Sequence, residues 1–410
     1  MKDGISVGII GGGAAGMMAA ITASRNGAEV TILEAGERLG KKILSTGNGK
    51  CNLGNTLLST AQYRGSCDFL GDVLERFGIE ETIAFFEGLG LLIKEKNGYL
   101  YPLCEQASAV LDILRFEINA RKIRVLENWP VQDIKKGKNG EWIVFSEGRR
   151  ESFDRLILTC GGKAMPNTGS DGSGYVLAKK LGHKIVPVVP ALTNLVCKED
   201  FFKGIAGVRT QARVAALTEK GEELCEDLGE LQLTDRGISG IPVFQISRFV
   251  SYELGHRSEV KVMIDLLPSL QETTEKIVSQ RMMLRDGRTV EECLTGIFPK
   301  KVLLLMIKRA GLRPADSAEK LTKAVIEKML YDAKHFIVTA IGTGDFKNCQ
   351  VCAGGVDCHE VTQSMGSKLA EGIFFAGEIL DVDGICGGYN LQWAWTSGYI
   401  AGLSASERRK

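Results

Sequence analysis

Apolar residues along this chain fall into two rhythms. Near both ends they come as short unbroken runs edged by glycine, at residues 5–10, 30–33, 123–126, 155–159 and 372–376. Runs of that length predict strands buried on both faces, as in a parallel sheet covered by helices. Between them, helical patterns occupy 17–25, 68–77, 80–88, 106–122 and 175–181. An Asn97-Gly98 pair within 92–101 predicts a tight hairpin, and 131–134 and 142–145 read as further short strands. From about residue 187 the rhythm changes. Strand-like runs at 191–196, 210–217, 231–234 and 260–264 predict a small antiparallel barrel or sheet, and 272–285, 290–297, 300–310 and 318–330 predict charged amphipathic helices. Strand character returns at 336–340, and a last helix runs from Gly388 through residue 401. The fold class is therefore α/β. A Rossmann-like domain is begun by residues 1–187 and completed by 335–410, with a β-rich insertion at 188–268 and a small helical one at 269–334.

The first run carries the most chemistry. It breaks into Gly11-Gly12-Gly13-Ala14-Ala15-Gly16, with glycines at the first, third and sixth places of G-x-G-x-x-G. In such a turn Gly11 permits the bend, Gly13 lets the backbone approach a pyrophosphate, and Gly16 lets helix and strand pack closely. The helix that follows aims free N–H groups and the positive end of its dipole at the phosphates. The second run ends at Glu34, followed by Ala35 and Arg38; a carboxylate there accepts the hydroxyls of an adenosine ribose and repels a 2′-phosphate. Strand, turn, helix and acid are in register for a dinucleotide.

The rest of the chain supplies more of such a site. Residues 36–52 are glycine-dense and aperiodic, a polar loop whose Lys42, Lys50 and Asn52 suit a cofactor's phosphates and ring. The run at 155–159 ends in Cys160-Gly161-Gly162, and a second glycine-rich loop spans 166–174. The final run ends in Gly377-Glu378, and Gly387-Gly388-Tyr389-Asn390 opens a helix. An acid for a ribitol hydroxyl and a helix N-terminus for the charge of a reduced ring point to FAD more than to NAD. The run 341–346 lacks a third glycine and an acidic strand after it, so NADH or NADPH is expected as a transient co-substrate without a nucleotide domain of its own.

Composition narrows the field. Hydrophobic content of 44% and charged content of 25% are those of a globular protein. A net charge of +1 gives no electrostatic case for nucleic acid or an anionic membrane, so the expected partner is a small molecule. Residues 1–20 resemble a secretion leader only until the glycine cluster interrupts them. Eleven cysteines without a small-domain framework read as reduced thiols, and the expected location is the cytoplasm. Cys349 and Cys352 invite a disulfide-reductase reading or, with Cys358 and His359, a zinc site; both are the weaker readings, and no metal is expected. Tyr101, Asp381, Asp383 and Tyr389 are candidates for a proton donor, each with a structural role as its rival. Trp393 and Trp395 are candidates to cap the cofactor or to fill the core.

Four blocks, at 7–20, 36–55, 229–248 and 374–402, together resemble the BaiN-like (YhiN-like) family of NAD(P)/FAD-dependent flavoprotein oxidoreductases nearly end to end. The resemblance implies one FAD held by both chain ends. Val131 would lie by the adenine and Thr159, Cys160, Gly161 and Gly162 on the pyrophosphate side. Lys42, Ser45, Lys50, Cys51 and Asn52 would run along the flavin, with Glu378 at ribitol or phosphate and Gly388, Tyr389, Asn390 and Leu391 at the pyrimidine edge. The activity implied is reduction of an activated C=C bond in a steroid-like enone, with an amine or aminoketone oxidase, an RNA-acting flavoprotein and a flavin-bound scaffold as rivals. Three places depart from the family pattern. Asn48 and Lys50 replace a usual Gly and Arg, Ser173 replaces an Asp, and Ile385-Cys386 replaces a polar pair beside the flavin helix.

Overall fold

The computed structural model describes residues 4–408, so the outermost ends of the first and last expected domains lie outside the described residues. Two compact units emerge, Met1–Val189 with Phe346–Lys410, and Pro190–Asp345.

The first unit is built on a five-stranded parallel sheet in the order Ile373–Phe375, Arg155–Leu158, Ser6–Ile10, Glu29–Leu33, Arg124–Leu126. Ser6–Ile10 is central and wholly buried, with Ile9 level with Ile157 on one side and Ile32 on the other. Helix Ala14–Arg25 follows the glycine turn, and helix Tyr389–Ser406 packs against it through small residues. A Cβ on Gly398 would stand 2.5 Å from the Ala15 carbonyl oxygen, and one on Gly402 2.4 Å from that of Ala19. Two glycines one turn apart thus let the last helix lie directly on the first. Trp393 and Trp395 are buried, donating their indole N–H to the carbonyls of Gly377 and Leu53. Both tryptophans are core.

Smaller sheets decorate this unit. Gly54–Asn55, Tyr99–Pro102 and Ile93–Lys96 form one around the expected hairpin; Tyr63–Gly65 pairs with Val382–Gly384. A third joins Asp133–Lys136, Trp142–Ser146 and Arg149–Phe153. Its first strand begins at Asp133, so Val131 precedes it rather than belonging to it. Arg149–Phe153 was not predicted, because four polar residues precede its one apolar anchor, Phe153.

The second unit is a closed six-stranded barrel in the order Leu195–Cys197, Gly237–Gly240, Glu223–Leu233, Arg209–Leu217, Val260–Asp265, Phe336–Thr343. Helices Thr274–Met283, Val290–Leu294, Lys300–Arg309 and Lys323–Lys334 share one apolar core with it, Leu303 and Ile326 in the same cluster as Val262 and Val338. Phe336–Thr343, expected to begin the return to the first domain, is instead a barrel strand. It pairs with Val260–Asp265 on one edge and Leu195–Cys197 on the other, closing the sheet and leaving no free edge. Helix Ile241–Leu254 is also new. Gly240 at φ 102° and Pro242 at its start give the sequence the look of a turn.

Candidate cofactor site

The glycine turn is built as its spacing requires. Gly11 adopts φ +103°, and a Cβ there would sit 2.7 Å from the Thr159 carbonyl oxygen. At Gly16 a Cβ would come within 2.0 Å of the Gly11 carbonyl oxygen, whereas at Gly13 it would meet nothing within 4 Å. Two glycines are demanded by the chain itself; the third faces open space. Thr159 locks the turn by donating its hydroxyl to the Gly11 carbonyl at 2.7 Å. No side chain caps helix Ala14–Arg25 at Gly13, so its first N–H groups point past Gly13, Ala14 and Ala15 toward that opening.

Glu34 lies at the edge of the same space. Its Oε2 accepts from the Gly12 N–H at 2.7 Å and its Oε1 from the Gly36 N–H at 2.8 Å, which fixes the carboxylate while leaving lone pairs for further donors. Ala35 and Arg38 are exposed on the turn beyond, and Val131 is half-buried against the unit's core. Opposite, Gly161 at φ +74° packs against Ser170, whose buried Oγ has no hydrogen-bond partner, and Gly169 approaches Glu34. Sequence reading marked this second glycine loop but not Ser170. Gly162 lies near the Glu378 carbonyl oxygen, and the Cys160 thiol is pushed up to about 12 by burial, with Glu34 and Asp171 adding to it.

The loop 36–52 joins the two chain ends. Lys42 Nζ reaches Glu378 Oε2 at 2.6 Å; Gly377 crowds Ala15 and donates its N–H to Ser397 Oγ at 2.9 Å. Ser45 is exposed and donates to the Lys42 carbonyl. Cys51 is buried, its thiol raised to about 12 by desolvation. Lys50 is exposed and paired with Glu105. Asn52 is buried, and its Oδ1 has no partner in the chain. A Cβ on Gly388, at φ +94°, would stand 2.8 Å from that oxygen, which places Asn52 at the N-terminus of the last helix. Asn390 closes the preceding loop with paired amide bonds to Gly384, and Leu391 follows half-buried.

Of the four candidate proton donors, Tyr101 lies beside this loop, its Cε1 3.8 Å from a Cβ built on Gly47. Tyr389 is buried under Gly387 and edge-on to Tyr63. Asp381 and Asp383 are buried around the strand Val382–Gly384. Tyr99 was overlooked; strand alternation places it on the face of Tyr101, ring centroids 6.5 Å apart. Cys349 and Cys352 hydrogen-bond to each other, Cys358 to Cys67, and His359 to Asp357.

The opening at the glycine turn is thus lined by helix N–H groups with a fixed carboxylate at one end, and two buried oxygens, Ser170 Oγ and Asn52 Oδ1, find no hydrogen-bond partner in the chain. The family model described as HI0933-like protein Rossmann domain matches residues 5–404. The chain belongs to the HI0933-like family. Within it, 46% identity over 407 residues, covering 98% of this chain and 99% of the relative, links it to the 3-dehydro-bile acid delta(4,6)-reductase of Clostridium scindens. A ribosomal RNA dihydrouridine synthase of Haemophilus influenzae is 29% identical over 409 residues, covering 98% of each. Among solved structures, 3-ketosteroid-delta4-(5alpha)-dehydrogenase from Rhodococcus jostii superposes with a TM-score of 0.51 at 16% identity, covering 98% of this chain and 97% of that one; it shows the shared fold. The cofactor that this family's fold and this donor set call for is FAD. No helix among the described residues is long and apolar enough to cross a membrane.

Proposed function

We propose that this HI0933-like protein is an FAD-dependent reductase that saturates a C=C bond conjugated to a carbonyl in an apolar, ring-bearing substrate of the steroid or bile-acid class. The observation that carries it is the 46% identity, end to end, to a relative named for that reaction. When bound, FAD supplies the hydride. Gly11, Gly13, Ala14, Ala15 and Gly16 would hold the pyrophosphate on helix N–H groups. Glu34, Ala35 and Arg38 would take the adenosine ribose, Val131 the adenine, and Thr159, Cys160, Gly161 and Gly162 the phosphate side. Lys42, Ser45, Lys50, Cys51, Asn52, Gly377 and Glu378 would run from phosphate to flavin, with Gly388, Tyr389, Asn390 and Leu391 at the pyrimidine edge. NADH or NADPH would charge the flavin and leave, giving ping-pong kinetics. The exposed Leu44 on the loop and Leu92 and Leu103 beside the hairpin would offer apolar contacts to a fused-ring substrate.

The test is anaerobic stopped-flow. The yellow protein is bleached with each nicotinamide and mixed with 4-androstene-3,17-dione or with ribosomal RNA lacking dihydrouridine. Recovery of the oxidised flavin band with the enone supports the reading. Recovery with RNA alone favours the chemistry named for the 29% identical relative, whose uracil C=C is likewise conjugated to a carbonyl. Steady peroxide under air, with an amine as electron donor, favours an oxidase.

A further inference from the structure

Reducing an enone needs a proton at the carbon next to the carbonyl as well as a hydride at the other, and the hairpin offers the donor. Pairing of Gly54 with Leu100 carries Tyr101 to the loop that holds Lys50 and Asn52. A Cβ on Gly47 would lie 3.0 Å from the Asn52 nitrogen and 3.8 Å from Tyr101 Cε1, so the phenol ring and the Asn52 main chain flank one glycine. Tyr99 stacks at 25° on one side of Tyr101. Lys50 and Glu105 act electrostatically on its phenol. The Glu105 carboxylate bridges Lys50 Nζ at 2.6 Å and Lys94 Nζ at 2.5 Å, and Lys50 is exposed to water. Tyr101 thus shares Gly47 with the Asn52 main chain and lies in the field of a charged pair that reaches solvent. Tyr389, the other candidate phenol, is buried edge-on to Tyr63, and burial and the neighbouring Tyr99 raise its pKa.

We propose that Tyr101 donates the proton to the substrate's α-carbon, and that Lys50, held by Glu105, reprotonates it. The inference rests on the reductase reading above. In this step the Tyr101 O–H breaks, its electron pair stays on the phenolate oxygen, and a C–H bond forms at the α-carbon as the enolate collapses to the ketone. A Lys50 N–H then breaks as the phenol re-forms, and the neutral amine recovers its proton from water. No electrons change hands in either transfer. Burial raises Tyr101's pKa, Tyr99 and Glu105 add to this, and Lys50 opposes it. The phenol therefore stays protonated until a strongly basic carbon arrives.

The experiment separates the two half-reactions in the holoenzyme, using Tyr101→Phe and Lys50→Met with 4-androstene-3,17-dione as oxidant. Tyr101→Phe is expected to keep its flavin, its rate of bleaching by nicotinamide and its affinity for the enone, read from the flavin spectrum. Reoxidation by the enone slows by about 100-fold or more, and reoxidation by ferricyanide is unchanged. The solvent deuterium effect on the enone step disappears with the phenol. Lys50→Met slows the same step by about tenfold and shifts its pH profile, with the arginine variant restoring neither because guanidinium does not give up its proton near neutrality. Enone reoxidation of Tyr101→Phe within about twofold of wild type overturns the relay while leaving the reductase reading intact. A wild-type protein that no enone reoxidises ends both.

Discussion

Lys42 Nζ and Glu378 Oε2 meet at 2.6 Å across 336 residues of sequence, one on the loop after strand Glu29–Leu33 and the other just past strand Ile373–Phe375. Each side chain keeps about a fifth of its surface exposed, at 21% and 20%. Water screens a pair so placed, and its worth to folding is about 1 kcal/mol or less. Its position is the larger matter, since it spans the seam where the two chain ends meet. Lys42→Met is expected to move the unfolding midpoint of the apoprotein by about 2 °C or less, yet to weaken FAD about tenfold through loss of a cation and of Glu378's restraint. Flavin fluorescence quenching measures the second quantity and calorimetry the first. A collapse of the apoprotein with no change in flavin affinity would assign the pair to folding alone.

The three glycines of the turn separate folding from binding. Gly16→Ala drives a Cβ to 2.0 Å from the Gly11 carbonyl oxygen and 2.8 Å from Thr159 Oγ1. Backbone cannot yield as a flexible side chain does, so the expected cost is about 1–3 kcal/mol in urea unfolding. Gly13 is already at φ −76°, and its Cβ would meet no atom of the chain. Gly13→Ala should unfold like wild type as apoprotein and fail to hold FAD, because the methyl occupies the space of the phosphates. Normal flavin content in that variant would place the pyrophosphate elsewhere.

Local signals carried the sequence reading where the chemistry is local. Strand, glycine turn, helix and Glu34 all lie within one βαβ unit, and the final Gly-acid and helix start are contiguous. What failed was long-range or disguised. Nothing around Phe336–Thr343 tells which sheet edge it will fill; its partners are Leu195–Cys197 and Val260–Asp265, set by barrel closure. Glu223–Leu233 is too acidic to read as a strand in its first half, and is held by the Arg213 guanidinium across from Glu223 and Glu226. Ser170 acquires meaning only once Gly161 folds over it. Two further features are local in the sequence. Val243, Ile246 and Val250 have helical spacing inside Ile241–Leu254, and period two in the hairpin pairs Tyr99 with Tyr101.

Asp357 makes stability pH-dependent in two directions. Burial alone would raise its carboxyl, but His359 Nδ1 at 2.6 Å and Lys184 Nζ at 3.1 Å outweigh this and hold it at about 2. That contribution is full above the ordinary carboxylate range and is lost as pH falls toward about 2. His359 is exposed and raised, first by Asp357 and then by Asp68, so its contribution is full below the ordinary histidine range and is lost as pH climbs through the raised value. The cluster therefore stabilises most between about pH 4 and about pH 6. Urea midpoints of wild type and Asp357→Asn should differ most in that window and converge below it. They should approach each other above it without meeting, since Lys184 stays charged. A difference independent of pH would show that neither group is linked to folding.

Asn52 gives the sharpest separation of the empty and loaded protein. Its Oδ1 is buried without a partner, beside the N-terminus of the last helix. An acceptor stranded in that way costs about 1–3 kcal/mol, and a ligand N–H brought against it recovers that cost on binding. Asn52→Ala removes the orphan along with the side chain. The apoprotein should consequently be as stable as wild type or more so, while its gain in melting temperature on adding FAD shrinks. The difference between the two gains, measured at one flavin concentration, isolates the amide from the rest of the fold. Were the amide merely structural, the variant would lose stability equally with and without FAD, and the two gains would be the same.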